Sequence, residues 1–327
     1  MTPKKRFEAA MRHQSPDDFA AAMELEFHLY QEAWGEEPVL GFELGKLSRR
    51  ERDLALGRNA ELMVKTASRF GHDAIKDIGL YWELSPGLPA YLWFPESVDQ
   101  LDQVRALRRE AGDEFFLLGS CSPTMCLPDG EHFESFCMDL FENPDDVKSG
   151  CQAALEKALI KQDQLLEAGA DGILNASDMA FNTGLFISPA MMEEFFYPYL
   201  EAWAGSLKKL GVISIWHSDR DISMALDRAV ECGVSAIQCV DPIAGMDIGA
   251  VRKKYENRLS VIGNLDCSIL HEGTPEEVEE KSREILEACK GGGFAFSGCN
   301  AIFKGIPLEN YQAMVDARWK YGKLGGA

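Results

Sequence analysis

Eight times along the chain a short run of apolar and β-branched residues gives way to an amphipathic helical pattern. No other feature narrows the possible folds as much. The runs lie near residues 19–26, 73–79, 115–121, 171–176, 212–217, 235–240, 259–264 and 294–299. Strands separated by helices cannot pair as hairpins, so they form a parallel sheet. Eight such units in 327 residues predict a closed (β/α)8 TIM barrel rather than an open doubly wound sheet. A dinucleotide-binding sheet is further disfavoured because no GxGxxG follows the first run. We expect one domain over 1–327. The segment 27–71 is longer than a simple crossover and should add extra N-terminal helices. The stretch 83–114, containing "SPGLPAYLWFPES", should form a long loop over the barrel mouth.

The helices carry their own end signals. "SPAMMEEFFYPYLEAWAGSLKKLG" opens on Ser188 as N-cap with Pro189 at the first helical position and closes on Lys208, Lys209 and Gly211. "TPEEVEEKSREILEACKGGG" opens on Thr274 with Glu277 three residues later, a capping box, and ends in glycines.

Charge restricts the function. With 33 Lys and Arg against 53 Asp and Glu, the formal charge is -20. Nucleic acid, which needs clustered cations against its phosphates, is excluded as a partner. The same field disfavours a polyanionic small substrate. No apolar run approaches the roughly 18 residues of a membrane helix, and the start "MTPKKRFEAAMRHQ" has no apolar h-region. No membrane association and a cytoplasmic location are therefore expected. The nine cysteines are odd in number, scattered and without a CxxC, so they read as reduced thiols. Cys121, Cys239 and Cys299 lie in or beside apolar runs, where a thiol packs as a small hydrophobe.

In a TIM barrel, chemistry gathers at the carboxyl ends of the strands. Read off those ends, the chain offers Glu24, Glu26 and His28; Lys76 and Asp77; Asn175 and Asp178; His217, Ser218 and Asp219; Gln238 and Asp241; Asn264 and Asp266; Cys299 and Asn300. His217 and Cys299 should face one mouth, where imidazole and thiolate with a nearby carboxylate suit a catalytic zinc. The third ligand could be Asp219, Glu24 or Glu26. Competing with this are a hydrogen-bonding role for His217, a packed thiol at Cys299, and an N-cap at Asp219 for a helix beginning at Asp221.

"FNTGLFISPAMMEEFFYPYL", "WHSDRDI", "DPIAGMDIGAVRKKY", "IGNLDCSILHEGTPEEVEEKSREIL" and "IPLENYQAMVDA" resemble the uroporphyrinogen decarboxylase superfamily. The resemblance runs in order over most of the chain and is dense from about 170 to 320. It implies a distorted (β/α)8 barrel and one of two chemistries. The decarboxylases resemble a cationic trap for a substrate with many carboxylates, whereas the matching place here reads "MELEFHLYQE", whose Glu24 and Glu26 would repel it. The corrinoid-dependent methyltransferases that act on coenzyme M carry a zinc triad of His-x-Cys and a later Cys. His217 and Cys299 match that triad, and Asp219 stands where the middle cysteine would be. A site with less thiolate leaves zinc a stronger Lewis acid, better suited to an ether oxygen than to a thiol.

The resemblance thus implies the substrate-side methyltransferase of an O-demethylase-like system. It would be a zinc enzyme moving a methyl group from a methylated small molecule, preferably an aromatic methyl ether, to the cobalt of a corrinoid carried by a corrinoid-binding protein. His217, Asp219 and Asp178 are its expected catalytic residues. Glu24, Glu26, Asn175, Gln238, Asn264, Trp82 and Trp93 are its expected substrate-side residues, with Tyr81 and Tyr91 also able to stack on a ring. Some ether-demethylating relatives have a Glu…Glu…His zinc set. Glu36, Glu51 and His72 match its spacing, although His72 precedes the second strand and should face away from the mouth. Transfer from methylcobalamin to a thiol, a decarboxylase-like activity and a metal-free binding barrel are the alternatives. A homodimer is compatible with a large acidic barrel, with no patch to mark it.

Overall fold

The computed structural model describes residues 1–324 except 17, 40, 77–80, 84–89, 93–96 and 129. At 41–42, 81–83, 90–92 and 97–99 it describes the backbone only. Eight parallel strands form one sheet: β1 (Ala21–Ala22), β2 (Ala74–Lys76), β3 (Phe116–Ser120), β4 (Gly172–Ala176), β5 (Ile213–Ser218), β6 (Ala236–Cys239), β7 (Ser260–Leu265) and β8 (Phe294–Gly298). Each pairs with its sequence neighbour from β2 through β8, and β8 returns to β1. Every expected run is therefore a strand, and the sheet is that of a TIM barrel.

Among the described residues, Asp73 ties β1 to β2 through two hydrogen bonds. The Asp73 amide donates to the Ala22 carbonyl at 2.7 Å, and the Ala22 amide donates back to the Asp73 carboxylate at 2.8 Å. The same carboxylate accepts from Arg6 and Arg318, both almost wholly buried. This buried ionic knot ties the first helix, α1 (Pro3–Met11), and the last to the seam of the barrel.

Strand residues alternate between two apolar clusters, as the pleat demands. Ala21, Ala74, Phe116, Leu118, Leu174, Ile213, Ile215, Ala236, Ile262 and Ala295 fill the barrel interior and are capped from below by Phe7. Ile75, Leu117, Ile173, Trp216, Ile237, Val261, Phe294 and Phe296 face outward into the layer beneath the helices. This inside–outside phase decides which polar residues reach the mouth.

The 27–71 segment does add helices, including α2 (Arg49–Phe70), which opens on a Ser48–Glu51 capping box. In the expected loop 83–114, an antiparallel pair (Tyr81–Glu83 with Ala90–Leu92) is followed by a helix, α3 (Ser97–Ala111). Buried Leu101, Val104 and Leu107 recur every third residue in α3, a helical period that the Pro- and Gly-rich start of the stretch obscures. The expected single helix from Ser188 to Gly211 is two, Pro189–Phe195 and Tyr197–Lys209. Pro198 has no amide to continue the first of them. The Thr274–Glu277 capping box is present. All nine cysteines are free, and no described helix is long and apolar enough to cross a membrane.

Candidate metal centre at the barrel mouth

His217 follows interior residues Ile213 and Ile215 in phase, so its ring points into the barrel at the carboxyl end of β5. Asp219 lies one step past the strand, and its amide donates to Asp178 Oδ1 at 2.8 Å. Asp178 comes from the loop after β4 and is held by its own amide against Cys126 Sγ at 3.2 Å. Ser218 faces outward and accepts from the Met179 amide at 3.0 Å, locking the β4 and β5 loops together. Arg220, with φ +71°, turns the chain away; its amide donates to Asp241 at 3.1 Å. Asp219 is no N-cap, because the helix that follows starts at Leu226.

These constraints gather three donors. His217 Nε2 lies 3.6 Å from Asp178 Oδ1 and 3.6 Å from Asp219 Oδ1. All three ligand atoms fall within 4.8 Å of one another. Gln238 sets the tautomer of the ring. Its amide nitrogen donates to the Cys299 carbonyl at 3.2 Å, so its oxygen faces His217 Nδ1, which must carry the proton. The Nε2 lone pair is thereby turned toward the carboxylates, an arrangement common behind metal-bound histidines. Asp219 Oδ2 accepts from Asn300 at 2.7 Å, while Oδ1 is buried and accepts no hydrogen bond. Burial pushes the Asp219 carboxyl up; His217 opposes this and the Asp178 charge adds to it. An imidazole lone pair, two crowded carboxylates and one orphaned oxygen fit a divalent cation such as zinc.

Cys299 stands beside this group rather than within it. Its sulfur is 3.9 Å from Cys267 Sγ and also meets the Cys239 thiol. Hydrogen bonds from Cys239 and Cys267 hold Cys299 well below the usual thiol range, with His217 adding in the same sense. Of the expected set His217, Asp219 and Cys299, the structure brings the first two together with Asp178 and leaves the Cys299 sulfur at the edge of that group. Cys239, read from the sequence as a packed thiol, and Cys267 both flank Cys299.

Other expected residues lie elsewhere, mostly because of strand phase. Glu24 falls between the interior residues Met23 and Leu25 and turns away from them. It accepts from Ser297 Oγ at 3.1 Å, the Gly298 amide at 3.0 Å and Tyr311 Oη at 3.2 Å. Glu26 is taken up by Lys76 at 3.5 Å and His28 at 3.1 Å. Neither glutamate joins the donor group. Asn175 follows the interior Leu174 and so faces outward, donating to Thr124 at 2.9 Å. Asn264 donates to the Val240 carbonyl at 2.7 Å, and both ends of the Gln238 amide are occupied. Asn175, Asn264 and Gln238 are thus each engaged by the protein's own groups, with Asn175 Oδ1 buried and without a hydrogen-bond partner. The Trp82 and Trp93 side chains, with those of Tyr81 and Tyr91, lie outside the described residues.

The alternative set Glu36, Glu51 and His72 is not assembled. Glu36 pairs with Lys65 on the surface, Glu51 caps the start of α2, and His72 lies beyond its end. Glu51 lies in the first turn of α2 and His72 just past its last residue, so the helix alone sets them about 28 Å apart. His72 is packed against Phe27, Phe70 and Tyr311 outside the sheet, with Nε2 2.6 Å from Tyr311 Oη. Burial, with Arg318 adding, pushes its pKa down to about 3. A depressed histidine contributes stability that is full above its unfolded value of 6.5 and lost as pH falls toward 3. His72→Gln should flatten this acid loss, which amounts to on the order of 5 kcal/mol at most. Urea midpoints of both proteins at pH 7, 5.5 and 4.5 check it, and parallel declines would refute it.

Residues 97–321 match the family model described as uroporphyrinogen decarboxylase (URO-D). Among curated proteins, the methylcobamide:CoM methyltransferase MtbA of Methanosarcina mazei is 27% identical over 222 residues, 68% of this chain and 63% of that protein. A uroporphyrinogen decarboxylase of Coxiella burnetii is 26% identical over 187 residues, 54% of this chain and 48% of that protein. The match thus spans less than two thirds of either relative's length. Among solved structures, a methyltransferase from Methanosarcina mazei superposes with a TM-score of 0.73 at 18% identity, covering 98% of this chain and 99% of that one, a likeness of fold.

Proposed function

The chain belongs to the uroporphyrinogen decarboxylase (URO-D) family, and from that premise we propose that it is a corrinoid-dependent methyltransferase with a zinc ion at the barrel mouth. The observation that carries this reading is the convergence of His217 Nε2, Asp178 and the orphaned Asp219 Oδ1 on one point. Such a group attracts a cation and repels the carboxylates of a porphyrinogen, in a protein already at -20. The name of the methyltransferase relative, which couples a methylcobamide to a methyl acceptor, points the same way.

In this reading His217, Asp219 and Asp178 hold the metal, the Asp219 amide fixes Asp178 beside it, and the Cys299 sulfur lies at the edge of the group. Gln238 keeps the ring proton on Nδ1, and Asn300 fixes the second Asp219 oxygen. Bound zinc would supply Lewis acidity toward the atom that carries the methyl group. A separate corrinoid protein would accept that methyl group on cobalt. The oxygen-rich donor set favours a methylated oxygen, with a methyl ether as substrate class. Transfer between a methylcobamide and a thiol is the second reading, supported by the three sulfurs at the rim and by the relative's name.

The test is to load the purified protein with zinc and add free cob(I)alamin with methyl ethers, or methylcobalamin with thiols. The cobalamin absorption spectrum then reports the transfer. Protein-dependent conversion with either pair supports methyl transfer. Absence of both, together with carbon dioxide release from a porphyrinogen, would replace it by decarboxylation.

A further inference from the structure

We propose that Cys126 is a positioning residue of the metal centre: its sulfur and the adjoining Leu127 amide hold Asp178 where it can share a cation with His217 and Asp219. The inference rests on the zinc reading above, with Asp178 as one of the three donors.

Asp178 is the donor that most needs holding. His217 lies within β5 and is paired on both sides, with Ala176 of β4 and Gln238 of β6. Asp219 comes one residue after β5 ends. Asp178 stands two residues beyond the end of β4, outside its ladder. Its side chain is 39% exposed, against 7% for His217 and 22% for Asp219. Loop residues of this kind are the more mobile part of a fold unless something fixes them.

The neighbours of Asp178 are fixed to β5. The Ser177 amide donates to the His217 carbonyl at 3.0 Å, and the Met179 amide to Ser218 Oγ at 3.0 Å. The main chain of Asp178 itself turns instead to the loop after β3. Its amide donates to Cys126 Sγ at 3.2 Å, and its carbonyl accepts from the Leu127 amide at 2.7 Å. Two residues earlier in that loop, Thr124 Oγ1 donates to Ser177 Oγ at 3.0 Å. The peptide groups on both sides of the Asp178 Cα are thereby held, which leaves only its side-chain torsions. The Asp219 amide takes these up by donating to Oδ1 at 2.8 Å. The metal centre thus draws on three loops, those after β3, β4 and β5.

The Leu127 bond is a main-chain bond that almost any residue could make. The Cys126 bond is carried by a side chain, with sulfur as the acceptor. A packing role does not account for this thiol, because Cys126 is exposed and belongs to neither apolar cluster, whereas Cys121, Cys151, Cys232 and Cys289 lie in the outer one.

The experiment is zinc competition between the full-length protein and a chromophoric chelator, run as a double-mutant cycle. Cys126→Ala should weaken zinc about 10-fold, the lower end of the cost of losing a partner behind a ligand. Cys126→Val should do the same, which covers a failure of the alanine variant to fold. Cys126→Ser, whose hydroxyl can accept the same amide, should recover most of the affinity. In an Asp178→Ala background, Cys126→Ala should have no further effect, since it acts through Asp178. Unchanged zinc affinity in Cys126→Ala, or an equal loss in both backgrounds, overturns the inference. So does Asp178→Ala with undiminished zinc, and each of these leaves the metal with His217 and Asp219. A wild type that binds no zinc overturns this inference and the zinc reading together.

Discussion

Asp73→Ala should destabilise the protein by about 3–5 kcal/mol, the cost of removing one partner from a buried ion pair. The carboxylate accepts from Arg6 and Arg318 and from the Ala22 amide. Its removal leaves two guanidinium groups in an interior that gives them little else. Arg318 keeps only its bonds to the Ala20 and Gly71 carbonyls, and Arg6 its pair with Asp18. The effect is large here because, among the described residues, β1 and β2 share no ladder and are joined through Asp73. Asp73→Asn, which keeps the shape and loses the charge, should cost less. Urea unfolding followed by far-ultraviolet circular dichroism measures both. A loss below about 1 kcal/mol for the alanine variant, the range of a surface pair, would show that the knot is dispensable.

His217→Ala should abolish stoichiometric zinc and lower methyl transfer at least about 1,000-fold, in the range seen when a single preorganised catalytic interaction is removed. The ring supplies the one nitrogen of the three-residue group, whose other two donors are carboxylates. Its backbone pairs within β5 and β6 remain, so the fold should persist. Gln238→Leu should act through the ring instead, weakening zinc by about 10–100-fold while leaving the ligand in place. Elemental analysis after dialysis, beside the cobalamin spectral assay, separates the two variants. Full zinc occupancy in His217→Ala would remove the metal centre from the mouth.

The barrel was legible because its signal is periodic and repeated. Eight apolar runs alternating with capped amphipathic helices leave few architectures, and the Thr274–Glu277 capping box is as local as a signal can be. His217 and Asp219 were legible for the same reason, since a residue at the carboxyl end of a barrel strand is placed by the strand itself. Asp178 was reached through its loop position just after β4.

What the chain alone could not decide was the face each polar residue turns. Glu24, Asn175 and Gln238 all stand at strand ends. A one-residue difference in phase sends the first two away from the interior, and the neighbouring His217 and Cys299 claim both ends of the third. Cys239 shows a further local departure: its sequence context predicts a regular strand, but it and Val240 have φ of +100° and +52°. Hydrophobic period is written in consecutive residues and can be read from them. Side-chain direction at a strand's end depends on the dihedral angles of one or two residues and on which distant strand lies alongside. Only closure of the barrel, made here by Asp73 with Arg6 and Arg318, brings those distant partners together.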